Sequence, residues 1–129
     1  MTGFRVYLSG GPLTGPYEAR NAWRDEATRL LEEAGIETLN PLLWQRVNGE
    51  QLPEDEHLAL SLEWLCRATV VLAYLDPPTR QCVAECDLAR RLEIPVVPAA
   101  SMDALRDQCR WLAARWEESR HGQFVLSLA

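Results

Sequence analysis

Thr69-Val70-Val71-Leu72-Ala73-Tyr74-Leu75 (TVVLAYL) carries the strongest strand signal in the chain. Its apolar residues follow one another without alternation, the pattern of a strand buried on both faces, as in the middle of a parallel sheet. Asp76-Pro77-Pro78-Thr79 ends it, because two prolines deny the ladder its N–H donors. On its C-terminal side Arg80–Leu92 reads as a helix, Ile94–Pro98 as a strand and Ser101 to about Glu118 as a helix with Asp103 in its first turn. Phe124–Leu128 reads as a last strand. On its N-terminal side a helix follows Pro53, with Glu54, Asp55 and Glu56 favouring the dipole and Leu58, Leu62 and Leu65 forming an apolar line. Before it lie an irregular stretch, Pro41–Pro53, and a short strand, Ile36–Asn40. Tyr17–Ala34 is a helix whose Ala19, Trp23, Ala27, Leu30, Leu31 and Ala34 recur at three and four spacing, with Gly35 as its stop. Phe4–Ser9 is the first strand.

The order β-α-β-α-β-α-β-α-β implies right-handed crossovers and a parallel sheet with helices on both faces. We therefore expect a single α/β domain with a flavodoxin-like, Rossmann-like five-stranded sheet in the order 2-1-3-4-5. In that order ligands bind outside the carboxyl ends of strands 1 and 3, between the loops Gly10–Pro16 and Asp76–Arg80.

Composition narrows the chemistry. The chain has 129 residues, 47% hydrophobic and 25% charged, enough for one core. All 13 basic residues are arginine, which excludes Schiff-base, phosphate-loop and general-base lysines. A net charge of −6 argues against nucleic acid or an anionic membrane as partner. No apolar run is long enough to span a bilayer, and residues 1–10 lack the features of a signal peptide. Cys66, Cys82, Cys86 and Cys109 contain no CxxC pair. They read as reduced core residues of a cytoplasmic protein, with neither metal nor cofactor expected.

Two loops and the helix after the second carry the candidate site. Ser9-Gly10-Gly11-Pro12-Leu13-Thr14-Gly15 is neither GxGxxG nor a phosphate loop; its glycines permit either close approach to a ligand or an ordinary tight turn. Tyr7, near the end of strand 1, faces either the crevice or the core. Thr79 is a plausible N-cap, and the free amides behind it suit an anion. Glu85 lies near the second turn, among Cys82, Val83, Ala84, Cys86, Leu88 and Ala89. It is either a solvated helix charge or a carboxylate desolvated at the crevice and fit for nucleophile or base.

Taken together, these segments resemble the nucleoside 2-deoxyribosyltransferase superfamily, which includes 2′-deoxynucleoside 5′-monophosphate N-hydrolases. Val6–Gly15 looks like its YxxGPxTG start, Leu30–Pro41 like its "L…G…NP" stretch, and Trp64–Ala89 like its core motif ending in a glutamate. The resemblance spans about residues 4–98. It implies N-glycosidic bond cleavage or transfer on a nucleoside or nucleotide, with Glu85 as nucleophile and Tyr7 beside it. By the same resemblance Gly10 and Gly11 line the sugar, Asn40 borders the base and Thr79 meets phosphate. With no lysine in the chain, positive charge in the loops Gly10–Pro16 and Asp76–Arg80 is left to Arg80 and the amides behind Thr79. Members are usually homodimers or larger, so the same is expected here.

The chain also departs from the family. The two usual acid positions are Ser61 and Thr69, and Gln81, Val83 and Asp87 stand where glycines are common. His57, one turn before Ser61, is either a substitute acid or a surface histidine. Asp76 is either a crevice carboxylate or a turn residue. These departures leave open a catalytically degenerate nucleotide-binding module, or an interaction protein using Trp111 and Trp116 of the last helix.

Overall fold

A computed structural model describes residues 3–11, 17–41 and 54–120 of the chain, the side chains of 17–20, 54–58 and 120 excepted. The elements run β1 (Arg5–Gly10), α1 (Tyr17–Glu33), β2 (Glu37–Leu39), α2 (Glu54–Leu65), β3 (Val70–Tyr74), α3 (Arg80–Arg91), β4 (Val96–Ala99) and α4 (Met102–Arg120). The strands form a parallel sheet in the order β2-β1-β3-β4. The described residues thus hold four strands, not five. The fifth, expected over Phe124–Leu128, lies outside them, as do residues 12–16 of the glycine-rich loop and 42–53 of the irregular stretch.

The sheet separates two layers by simple alternation. Val6, Leu8, Val70, Leu72 and Tyr74 point to one face, where Trp23, Ala27 and Leu31 of α1 meet Leu105, Cys109 and Leu112 of α4. Tyr7 and Val71 point to the other face, against Leu65 of α2 and Ala89 of α3. Ala73 also faces this side, where it packs on Cys82 and Cys86 of α3. Every residue of β3 is buried, as its unbroken apolar run predicts. Trp111 and Trp116 are partly buried against the α1–α4 layer, and the Trp116 ring sits 5.5 Å from that of Phe4, so both help to cover the sheet.

Local signals set the ends of the helices. The Gly35 and Ile36 amides donate to Glu32 and Leu31 carbonyls at 3.0 Å each, the paired bonds of a Schellman cap, with Gly35 at φ 81°. The same cap closes α3: Glu93 and Ile94 amides donate to Arg90 (3.1 Å) and Ala89 (2.8 Å) carbonyls. Here the left-handed residue is Glu93, at φ 60°. That cap consumes Glu93 and Ile94, so β4 begins at Val96 rather than at Ile94. Thr79 and Ser101 are N-caps, each accepting an amide three residues on at 3.1 Å.

Candidate functional site

Most of the buried polar side chains among the described residues (Ser9, Arg24, Asn40, Ser61 and Glu85) gather around the carboxyl end of β1. Its residues alternate: Tyr7 and Ser9 face α3, while the position of a side chain on Gly10 faces α1. From α3, Glu85 reaches over the strand. The Tyr7 hydroxyl donates to Glu85 Oε2, and Ser9 Oγ donates to Glu85 Oε1 at 2.8 Å. Glu85 is 4% exposed, so the solvated-helix reading does not hold; it lies on the side of α3 that also buries Cys82, Cys86 and Ala89. Burial pushes its carboxyl above the ordinary glutamate range, while the hydroxyls of Tyr7 and Ser9, the Arg24 charge and the Gln81 side chain pull it down. Tyr7 is held well above the usual phenol value, first by burial and then by the neighbouring carboxylate, so it remains a neutral donor.

Ser61 of α2 completes this side. It is fully buried, and its Oγ has no hydrogen-bond partner among the described residues. It lies near enough to the Tyr7 oxygen to favour the phenolate slightly, though not in hydrogen-bonding geometry. The position where the resemblance leads one to expect an acid is therefore beside the Tyr7–Glu85 pair, and it holds a hydroxyl. Thr69 stands at the opposite end of the sheet. Its Oγ1 donates to the Gly3 carbonyl at 2.8 Å and accepts the Arg5 amide at 3.0 Å, stitching the start of β1 to β3. Thr69 thus has a structural use and lies away from Glu85.

The other expected site residues divide. Asn40 is buried just past β2 and accepts from Arg24 Nη1 at 3.1 Å. Gly10 is packed so closely that an added Cβ would meet the Tyr74 carbonyl at 2.7 Å and the Trp23 ring at 2.9 Å. The Gly11 carbonyl accepts from Trp23 Nε1 at 3.1 Å. Both glycines are thus engaged with the α1 side. Thr79 caps α3 with its side chain part-buried, and Arg80, the first residue of that helix, is exposed. Asp76 is exposed, and its charge is felt by Tyr74; it does not join the hydrogen bonds around Glu85. His57 lies on α2, and its side chain is outside the described residues.

Sequence reading overlooked three participants. Ser9 shares the face of Tyr7 two residues away, so strand alternation was a sufficient signal for it. Gln81 lies one helical turn before Glu85, also a readable spacing. Arg24 gave no such signal. It follows the core residue Trp23, and nothing in the periodicity marks it for burial, yet it is 1% exposed. Its Nη1 also donates to the Leu8 carbonyl at 2.9 Å and its Nη2 to the Gly10 carbonyl at 2.6 Å. The guanidinium lies 4.6 Å from the Trp23 ring, which itself stacks on Tyr74 at 5.0 Å. Burial lowers its pKa to about 10, which leaves it cationic at neutral pH.

Cys82 and Cys86, one turn apart on α3, lie on the same side as Glu85 and are both free thiols. Their mutual contact lowers Cys82 to about 7 and raises Cys86. Among the described residues no three His, Cys, Asp or Glu side chains gather as a metal-ligand set, and no helix is long and apolar enough to cross a membrane.

The arrangement is a buried carboxylate held by two hydroxyls, next to a third with no partner among the described residues, at the carboxyl end of the central strands. A carboxylate so held has the chemistry of a nucleophile or base. No protein-family model and no curated protein matches the chain.

Proposed function

We propose that this protein cleaves or exchanges the N-glycosidic bond of a deoxynucleoside or nucleotide, with Glu85 as the nucleophile. The observation that carries this reading is the Glu85 carboxylate, buried at the carboxyl end of β1 and fixed through both oxygens by Tyr7 and Ser9. A carboxylate oxygen attacks the anomeric carbon, a C–O bond forms, and the C–N bond breaks with its electron pair leaving on the base, which takes up a proton from water. Water or a second base then attacks the same carbon and releases Glu85, so the configuration is retained overall. The two hydroxyls hold the nucleophile in one orientation, which replaces a search through rotamers with a fixed approach.

The assay is release of free base from a panel of deoxynucleosides and deoxynucleoside monophosphates. The wild type is expected to release base, and Glu85→Gln, with its fold intact, to lose the activity. Base release by Glu85→Gln at the wild-type rate would sink the assignment.

A second reading is a binding module that holds a nucleotide at the same site without turnover. It is favoured by one observation: Glu85 is the sole buried carboxyl among the described residues, and Ser61 stands where a proton donor for the leaving base is expected. Its signature is a nucleotide-induced rise in melting temperature, unaccompanied by base release. In either reading the ligand is a small nucleoside or nucleotide rather than nucleic acid, and the chain assembles as a homodimer or larger.

A further inference from the structure

Arg24 and Glu85 are the two buried charged side chains among the described residues, and no ion pair or hydrogen bond joins them. A buried charge is costly unless it is paired or well solvated by dipoles. No carboxylate among the described residues contacts the Arg24 guanidinium; its acceptors among them are two carbonyls and the Asn40 amide oxygen.

The sheet register explains why those carbonyls are available. β1 pairs with β2 through Arg5, Val6 and Tyr7, and with β3 through Val6 to Gly10. The Arg5 carbonyl accepts from the Thr69 amide, so the carbonyls of odd residues point toward β3 and those of even residues toward β2. β2 ends at Leu39, opposite Tyr7. The Leu8 and Gly10 carbonyls therefore face an edge that β2 has already left, and Arg24 occupies it with two nitrogens of its fork. The same four residues, Tyr7 to Gly10, hold Arg24 by alternate carbonyls and Glu85 by alternate side chains.

We propose that Arg24 is a positioning residue of the Glu85 site: by gripping the carbonyls that β2 leaves free, it fixes the strand segment bearing Tyr7 and Ser9 and supplies the positive charge that balances the Glu85 carboxylate. The groups facing Glu85 are Tyr7 and Ser9 of β1, Arg24 of α1, and Gln81, Cys82 and Cys86 of α3, with Ser61 of α2 one step away beside Tyr7. Arg24 is the one cation in that set. The proposal concerns the site on which the glycosidic reading rests, but its test does not depend on turnover.

The test is a carbon-13 titration of the Glu85 side-chain carboxyl in the wild type, Arg24→Lys and Arg24→Met. Lysine keeps the charge and gives up the planar fork; methionine gives up both. In Arg24→Met the Glu85 midpoint is expected to rise by about one pH unit, the scale of a nearby opposite charge; in Arg24→Lys it stays near the wild-type value while the melting temperature falls. A folded Arg24→Met protein with an unchanged midpoint overturns the proposal. Should Arg24→Met fail to fold, adding Glu85→Gln supplies the second measure. Balanced charges predict that the double variant recovers a urea-unfolding transition, and a double variant no more stable than Arg24→Met overturns the proposal. If these results hold but no wild-type base release is found, the glycosidic reading fails and the role of Arg24 stands.

Discussion

Tyr7→Phe isolates the contact on which the site depends. The ring of Tyr7 is fully buried against Leu65, Val71 and Ala89, and phenylalanine preserves that packing. What is lost is one hydroxyl donor to Glu85 Oε2, leaving Ser9 Oγ at 2.8 Å as the remaining β1 donor. A hydrogen bond to a charged group contributes about 1.5–3 kcal/mol, against about 0.5–1.5 kcal/mol for a neutral pair. The loss should therefore depend on whether Glu85 is ionised. Its folded carboxyl already lies above its ordinary value because of burial, and Tyr7 is among the groups that hold it down. Removing the hydroxyl raises it further. A carboxyl raised on folding contributes stability that is present below the unfolded value and is lost as pH rises through the folded value. The variant has the higher folded value, so it loses more than the wild type once both are ionised. Urea unfolding at pH 4 and pH 8 is expected to show a destabilisation of about 1 kcal/mol or less at the lower pH and about 2–3 kcal/mol at the higher. Equal losses at the two pH values would refute the claim that the Tyr7 hydroxyl serves the ionised carboxylate.

Two further substitutions probe the frame around the site. Gly10→Ala would drive a methyl to 2.7 Å from a backbone carbonyl that cannot swing away, so a loss of about 2–3 kcal/mol is expected in chemical denaturation; a variant as stable as the wild type would show that the strand end yields easily. Glu93→Gly relieves a left-handed residue in the α3 cap, a gain of about 1–2 kcal/mol partly offset by about 0.5–1 kcal/mol of added backbone freedom in the unfolded chain. The net expectation is a melting temperature raised by a degree or more, and a lowered one contradicts the cap assignment.

Most of the fold was readable because each element announces itself locally. The apolar run of β3, the three-and-four spacing of α1 and the glycine after it need no tertiary information. The start of β4 was missed by two residues because the cap of α3 uses Glu93, which carries no turn signature in sequence. The Glu85 side of the site was also legible: small neighbours on α3 suggested burial, and Tyr7 lay near the end of the right strand. The partners of Glu85 were not fully legible. Pairing a helix residue with a strand residue 76 or 78 positions away requires the crossover to be built first. The glycines illustrate the opposite case. Gly10 and Gly11 suggested approach to a ligand, and the approach that Gly10 permits is that of Tyr74 and Trp23.

The missing lysines acquire a structural meaning through Arg24. On sequence alone, any positive charge at the crevice had to come from Arg80 and the helix end behind Thr79. Arg80 is exposed at the start of α3, and a buried cation comes from α1, where only a planar fork could take two carbonyls of one strand edge and still reach Asn40. This arrangement bears on the proposed reaction. As Glu85 bonds to carbon its negative charge is consumed, and the hydrogen bond from Tyr7 weakens. A small rotation of the Ser61 or Tyr7 side chain would then let the Tyr7 hydroxyl donate instead to Ser61 Oγ, which is buried nearby without a partner among the described residues. A hydroxyl at this position suits a carboxylate that alternates between charged and bonded states, because it can accept a hydrogen bond from the phenol without adding a second negative charge. An aspartate there could protonate a leaving base, but it would also place another buried anion opposite a single buried arginine.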